Sequence, residues 1–337
     1  MNSLKRRSLL GGTGAVALVG LALPAFAQKS VQPAPVVRSK SIFLARKLRI
    51  VIPANAGGGW DQTGRALGAA LVGAGAAEEI EYENKGGKGG TIGLVHYAEK
   101  YSNDPNVLLI GGTVMVGAVA LHKPAVDMTA IRPVARLTSD YLVVVVAANS
   151  PIRNINDLAE RIRSNQKEAQ IAGGSAGGVD HVFSGMITRG ARSKPEELVY
   201  VPFAGGAEVV QAVLAEKVVA GVSGYSEFSE HLATGKLRAI GVSSKRSIFG
   251  IPSIREQGMD VDIANWRGVF SGQGVSNARL ATMVDAVKAA TGHESWQKTL
   301  KDNRWEASWL SGPSLSNFID FDLTTSRLMV HLLKFKA

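Results

Sequence analysis

Two spacings of apolar residues alternate along this chain. Short runs of Val, Ile and Leu are separated by longer stretches in which apolar positions return every third or fourth residue. The first pattern belongs to strands and the second to helices that bury one face. The sequence therefore predicts strands at 48–52, 79–83, 107–111, 141–148, 170–172, 198–201, 218–222, 237–242 and 266–271. It predicts helices at 61–72, 90–100, 155–165, 179–189, 207–215, 226–234, 278–291, 294–302 and 314–333. Strand alternating with helix is the signature of α/β layers around a mainly parallel sheet. No short-period repeat interrupts it.

The run L-V-V-V-V-A-A (142–148) is apolar at every position and ends at Asn149-Ser150-Pro151. It reads as a central strand that leaves one sheet to enter a second domain. A return at 258–265 would mirror it. Two crossings give a discontinuous first lobe, 47–141 plus 256–337, and a second lobe, 142–255. Two sequential domains are the alternative. Trp296, Trp305 and Trp309 are expected to pack the last helices onto the first lobe.

Residues 1–27 follow another logic: Lys5, Arg6 and Arg7 precede an apolar, small-residue stretch at 9–23 and then Ala25-Phe26-Ala27. This is a cleavable export signal, too short and glycine-interrupted to span a bilayer. Arg6-Arg7 before Ser8-Leu9-Leu10 also fits a twin-arginine signal, with Lys5 where that motif usually has Ser or Thr; the general secretory route is placed first. The chain has no cysteine, so neither a lipid-modified cysteine nor a disulfide framework is expected, and the mature protein should be soluble in the periplasm. Residues 28–46, with Pro33, Pro35 and several cations but no periodicity, read as a flexible leader.

The formal charge of +10 falls to +7 once three basic residues leave with the signal. The remaining cations are scattered rather than interleaved with aromatics, and an exported chain meets little nucleic acid, so a small polyanion is the better partner for this field. The six His residues show no metal-ligand spacing, and no metal or cofactor is expected.

The chemistry concentrates in glycine runs that join strands to helices: V-I-P-A-N-A-G-G-G-W-D-Q-T-G-R (51–65) and I-A-G-G-S-A-G-G-V-D-H (171–181). Glycine lets the backbone approach a ligand closely, and the first N–H groups of the following helix lack internal partners and carry the positive end of its dipole. Two such cradles suggest one anion held between two lobes.

Seven ordered blocks carry a resemblance: 51–67, N-K-G-G-K-G-G-T-I-G (84–93), 172–181, V-P-F-A-G-G-A-E (201–208), V-S-G-Y-S-E (222–227), G-K-L-R-A-I-G-V-S-S (235–244) and W-R-G-V-F (266–270). Together they resemble the extracytoplasmic substrate-binding receptors of tripartite tricarboxylate transporters, and the G-G-G-W-D loop is closest to the tricarboxylate-receptor branch. The resemblance implies a type II periplasmic-binding-protein fold of two α/β lobes. It also implies a carboxylate ligand, citrate-like as a first guess, and delivery to a transporter of one large and one small membrane subunit. No catalysis is implied, and a monomer is expected. By position, the first cradle is Gly57, Gly58, Gly59, Trp60 and Asp61, and the opposing one is Ser175, Ala176, Gly177, Gly178 and Asp180. Lys88 departs from the family, which usually has a small residue between those glycines.

Residue chemistry adds Thr113 at a strand end, Gly205 and Gly206 at another helix start, and Ser223 at the end of a strand. Asp61 and Asp180 sit in first turns, where capping competes with a ligand role. His181 is read as a packing or capping residue ahead of a carboxylate donor, Glu208 as a cap, and Glu227 as the anchor of a neighbouring loop. Main-chain donors do not titrate, so binding is expected to vary little with pH. Two other functions stay open: the same fold reporting its ligand to a membrane sensor, or an enzyme binding a phosphorylated substrate. The second lacks both the G-x-G-x-x-G and the P-loop spacing.

Overall fold

The computed structural model describes residues 42–335; the expected export signal and residues 28–41 of the expected leader lie outside them. The strands are β1 (Ala45–Ile52), β2 (Ala77–Asn84), β3 (Val107–Gly112), β4 (Ile131–Ala147), β5 (Ile171–Gly173), β6 (Tyr200–Pro202), β7 (Ala220–Gly224), β8 (Leu237–Val242), β9 (Ala264–Gly272) and β10 (Glu306–Leu310). The first five helices are α1 (Gly59–Gly73), α2 (Thr91–Tyr101), α3 (Thr113–His122), α4 (Ile155–Ser164) and α5 (Val179–Gly190). The others are α6 (Gly206–Leu214), α7 (Tyr225–Ala233), α8 (Asn277–Gly292), α9 (Glu294–Asn303) and α10 (Gly312–Leu332). Among the described residues, no helix is long and apolar enough to cross a membrane.

Four features depart from the sequence reading. Strand β10 was not expected, and it pairs antiparallel with β4. Helix α3 was not expected: its segment T-V-M-V-G-A-V-A-L-H is buried nearly all round, so it has no polar face and no helical period to detect. Strand β4 begins eleven residues earlier than its apolar run, because Ile131 to Tyr141 pair with β9 through two register shifts, one at Val134 and one at Leu137. The leader is cut short at Ala45, where the register with Ala77 in β2 begins.

Strand order is β2-β1-β3-β9-β4-β7-β5-β6, with β8 and β10 also pairing with β4. Strand β4 is the spine. From Ile131 to Tyr141 it runs antiparallel to β9, and from Leu142 to Ala147 it runs antiparallel to β7 and β8. The apolar run is buried on both faces because each face meets a different helical layer. Leu142, Val144 and Val146 enter the core that includes residues of α4 and α5, while Val143 and Val145 enter the one that includes residues of α6 and α7. Each such side chain contributes about 1.5–3 kcal/mol on leaving water.

The chain returns through Ile263 into β9. Ser243 ties both passages together: the Leu142 N–H donates to its hydroxyl at 2.9 Å, that hydroxyl donates to the Ile263 carbonyl at 2.6 Å, and the Ile263 N–H donates to the Ser243 carbonyl at 3.1 Å. On the other side, Trp296 and Trp305 are buried in the first core with Trp309 packed against it.

Candidate functional site

Strand ends position the site. Helices α1, α5, α6 and α7 each follow the C-terminal end of a strand, and each has a glycine N-cap that forms no side-chain cap: Gly58, Gly178, Gly205 and Gly224. All four glycines line one cleft of ≈ 390 Å³ between the two halves of the sheet. Four positively polarised helix ends at one cavity make an environment for oxygen anions. The volume lies within the ~300–1,000 Å³ of ordinary small-molecule pockets.

Most residues expected from sequence border this cleft: Gly58, Gly59, Trp60, Ser175, Ala176, Gly178, Asp180, Gly205, Gly206 and Ser223. Trp60 forms part of the wall and is itself buried; a Cβ on Gly90 would lie 2.6 Å from its ring, so the third glycine loop closes on the indole.

Four expected residues do not line the cleft: Gly57, Asp61, Thr113 and Gly177. Asp61 turns onto its own loop, where its Oδ2 accepts from the Gly57 N–H at 3.0 Å and from Arg65 Nε at 2.9 Å, and its Oδ1 accepts from Asn84 at 3.0 Å. Burial opposes its ionisation, but those hydrogen bonds from Arg65, Gly57 and Asn84 outweigh burial and hold its pKa below the ordinary carboxylate value. Thr113 faces β9, its hydroxyl accepting from the Trp266 N–H at 2.9 Å. A Cβ on Gly177 would lie 2.7 Å from Leu121, and the Gly177 N–H donates to His181 Nδ1 at 3.1 Å.

Asp180 has the same first-turn chemistry as Asp61 but borders the cleft. Its Oδ2 accepts from the Gly174 N–H at 2.8 Å, and burial, followed by the nearby Glu227 charge, raises its pKa to about 7.

The sequence reading gave no role to the most informative lining residue. Arg267 sits in β9 with its side chain 4% exposed, donates from Nη2 to Asp140 Oδ2 at 2.7 Å and lies over the Trp305 ring at 4.5 Å. A Cβ on Gly59 would fall 2.7 Å from that Nη2, so glycine here lets the α1 terminus rest on the guanidinium. Arg267 Nη1 and Asn265 Oδ1 are buried without a hydrogen-bond partner among the described residues, and both residues line the cleft. These two atoms retain hydrogen-bonding capacity that a ligand or an ordered water would complete. The available signal was an arginine inside a strand buried along nearly its whole length, which is costly without a partner. Lys88 and Glu227 also line the cleft.

Two α/β lobes joined by crossing strands, with helix N-termini gathered between them, define a periplasmic-binding-protein fold of the type II class. The structure of the periplasmic binding protein BugD aligns with a TM-score of 0.78, over 86% of this chain and 98% of its own, at 20% identity. MatC from Rhodopseudomonas palustris, solved with bound malate, aligns with a TM-score of 0.75, over 85% of this chain and 99% of its own, at 22% identity. A UPF0065 protein from the tcbD-tcbE intergenic region of Pseudomonas sp. (strain P51) is 26% identical over 240 residues, 69% of this chain and 70% of its own. The model of the tripartite tricarboxylate transporter family receptor matches residues 75–333, and the chain belongs to that family.

Proposed function

We propose that this protein is a periplasmic receptor that binds a small di- or tricarboxylate of the citrate type in the cleft, without transforming it. It would then present the ligand to the membrane subunits of a tripartite tricarboxylate transporter. The observation that carries this reading is the meeting of four glycine-capped helix ends with the unpartnered Nη1 of Arg267. Charge-assisted hydrogen bonds contribute about 1.5–3 kcal/mol each. Micromolar affinity corresponds to about 8.2 kcal/mol, so about three to six such donors suffice before losses are subtracted. The malate in MatC, a dicarboxylate, agrees with the ligand class.

In this reading the lobes close as rigid bodies about the two crossings. The first hinge is placed at Tyr141–Leu142, where β4 changes partners. The second is placed at Ile263–Ala264, because Met259 and Val261 still pack in the core of the second half. Isothermal titration of the purified mature chain with citrate, malate, succinate, aromatic carboxylates and nicotinamide is the test. Heat and a thermal shift with a di- or tricarboxylate are expected; silence across all the acids would remove this function.

A further inference from the structure

The cleft already contains a carboxylate bound as a ligand's would be. Glu227, in the first turn of α7, reaches across to α1, where its Oε1 accepts from the Gly59 N–H at 3.2 Å, a contact between residues 168 positions apart. Its Oε2 accepts from the Ser223 hydroxyl. Gly206 leaves the space this requires, since a Cβ there would lie 2.6 Å from Glu227 Cδ and 2.7 Å from its Cβ. A main-chain N–H, a hydroxyl and a missing side chain, each from a different element, thus surround one carboxyl group. The N–H belongs to the helix end that a ligand anion would seek.

We propose that Glu227 is a resident anion that competes with the ligand's carboxylate for the α1 N-terminus and so sets the affinity of the receptor and its dependence on pH. This rests on the carboxylate-receptor reading above and adds a specificity-determining residue to it.

The charges around Glu227 decide the direction. Arg267 faces it from β9 and Asp140 from β4, but these two are already joined at 2.7 Å and nearly neutral as a unit. Asp180 on α5 shares the cleft, and Lys88 and His122 line it from the turn before α2 and from α3. Burial raises the Glu227 pKa, Arg267 pulls against it, and Asp140 raises it further. A ligand anion arriving beside Glu227 and Asp180 adds charge of the same sign, which favours protonation of both. Capture of the anion therefore takes up protons, and it weakens as pH rises past neutrality, in contrast to the weak dependence expected from main-chain donors alone.

The experiment is titration calorimetry with citrate and malate in buffers of different ionisation enthalpy, at mildly acid and mildly alkaline pH, on the wild type, Glu227→Gln and Glu227→Ala. The two substitutions remove the charge, and the first retains an acceptor for Gly59. The wild type is expected to take up protons on binding. Both variants are expected to bind about tenfold tighter on the alkaline side and to take up fewer protons, tenfold being the effect of one pKa unit. Equal or weaker binding by both variants overturns the competition while leaving the receptor intact. If neither the wild type nor the variants bind any carboxylate, the receptor reading fails and takes this inference with it.

Discussion

Arg267 and Asp140 form a buried ion pair at 2.7 Å beside the point where β4 passes from one lobe to the other, with side chains only 4% and 5% exposed. The guanidinium, whose Nη1 has no hydrogen-bond partner among the described residues, is thus anchored by a carboxylate on the crossing strand. Removing one partner of a buried pair strands the other charge, at about 3–5 kcal/mol. Arg267→Ala should therefore lower the urea midpoint sharply. Arg267→Lys should melt closer to wild type yet lose about tenfold or more in carboxylate affinity, since a lysine cannot serve Asp140 and a ligand through a planar fork. Equal affinity of wild type and Arg267→Lys in calorimetry would argue against contact with the ligand.

Ser243 makes a second testable point. Its hydroxyl links Leu142 and Ile263, one on each crossing. Ser243→Ala leaves the buried Leu142 N–H short of a partner, a loss of about 1–3 kcal/mol, and frees the part-buried Ile263 carbonyl at a smaller cost. Chemical denaturation should register that loss. Small-angle scattering without ligand should show a broader distribution of lobe separations than wild type, and an unchanged distribution would argue against a hinge at this residue.

Two neighbouring groups titrate in opposite senses. His181 is stacked between Tyr200 and Phe335, and burial lowers its pKa from 6.5 to about 4. It stays neutral when folded and protonates when unfolded, so its stabilisation is full above pH 6.5 and is lost as pH falls toward 4. Asp180, raised from 3.8 to about 7, contributes most below pH 3.8, and that contribution disappears as pH rises toward 7. The two slopes oppose each other. Asp180→Asn should therefore make stability rise with pH more steeply than in wild type between about pH 4 and about pH 6.5. Parallel urea-midpoint curves for the two proteins would refute this.

Lys88 borders the cleft in a left-handed conformation, φ 45°. That conformation costs an L-residue about 1–2 kcal/mol, against about 0.5–1 kcal/mol for the extra freedom of glycine in the unfolded chain. Lys88→Gly should leave stability equal or slightly higher. Affinity for tricarboxylates should fall more than for dicarboxylates, and most at low salt, where an exposed charge is least screened. Equal losses for the two ligand classes would show that Lys88 does not read ligand charge.

Much of the architecture was legible in the residue pattern because strands and helices bury their faces with different periods. The apolar 142–148 run pointed to the crossing strand, and its alternation divides two helical layers. Helix α3 escaped for the same reason in reverse, as a helix without a polar face has no period to read. The glycine runs were likewise visible, and the missing side chain is needed where Gly59 meets Arg267 and Gly206 meets Glu227.

Local sequence did not decide which way the side chains point. Asp61 and Asp180 occupy equivalent first turns after glycine, yet Asn84 and Arg65 draw one onto its own loop while the other borders the cleft. Arg267 needed Asp140, 127 positions away, and Glu227 needed Gly59, 168 positions away, before either acquired a role. What the sequence alone determined was the order of most of the elements and the glycine-capped helix ends, because hydrophobic period and backbone freedom are properties of neighbouring residues. Which charges meet, which are neutralised and which face a ligand were decided only by the tertiary structure, because electrostatics depends on distance and burial, and folding alone sets those for residues far apart in the chain.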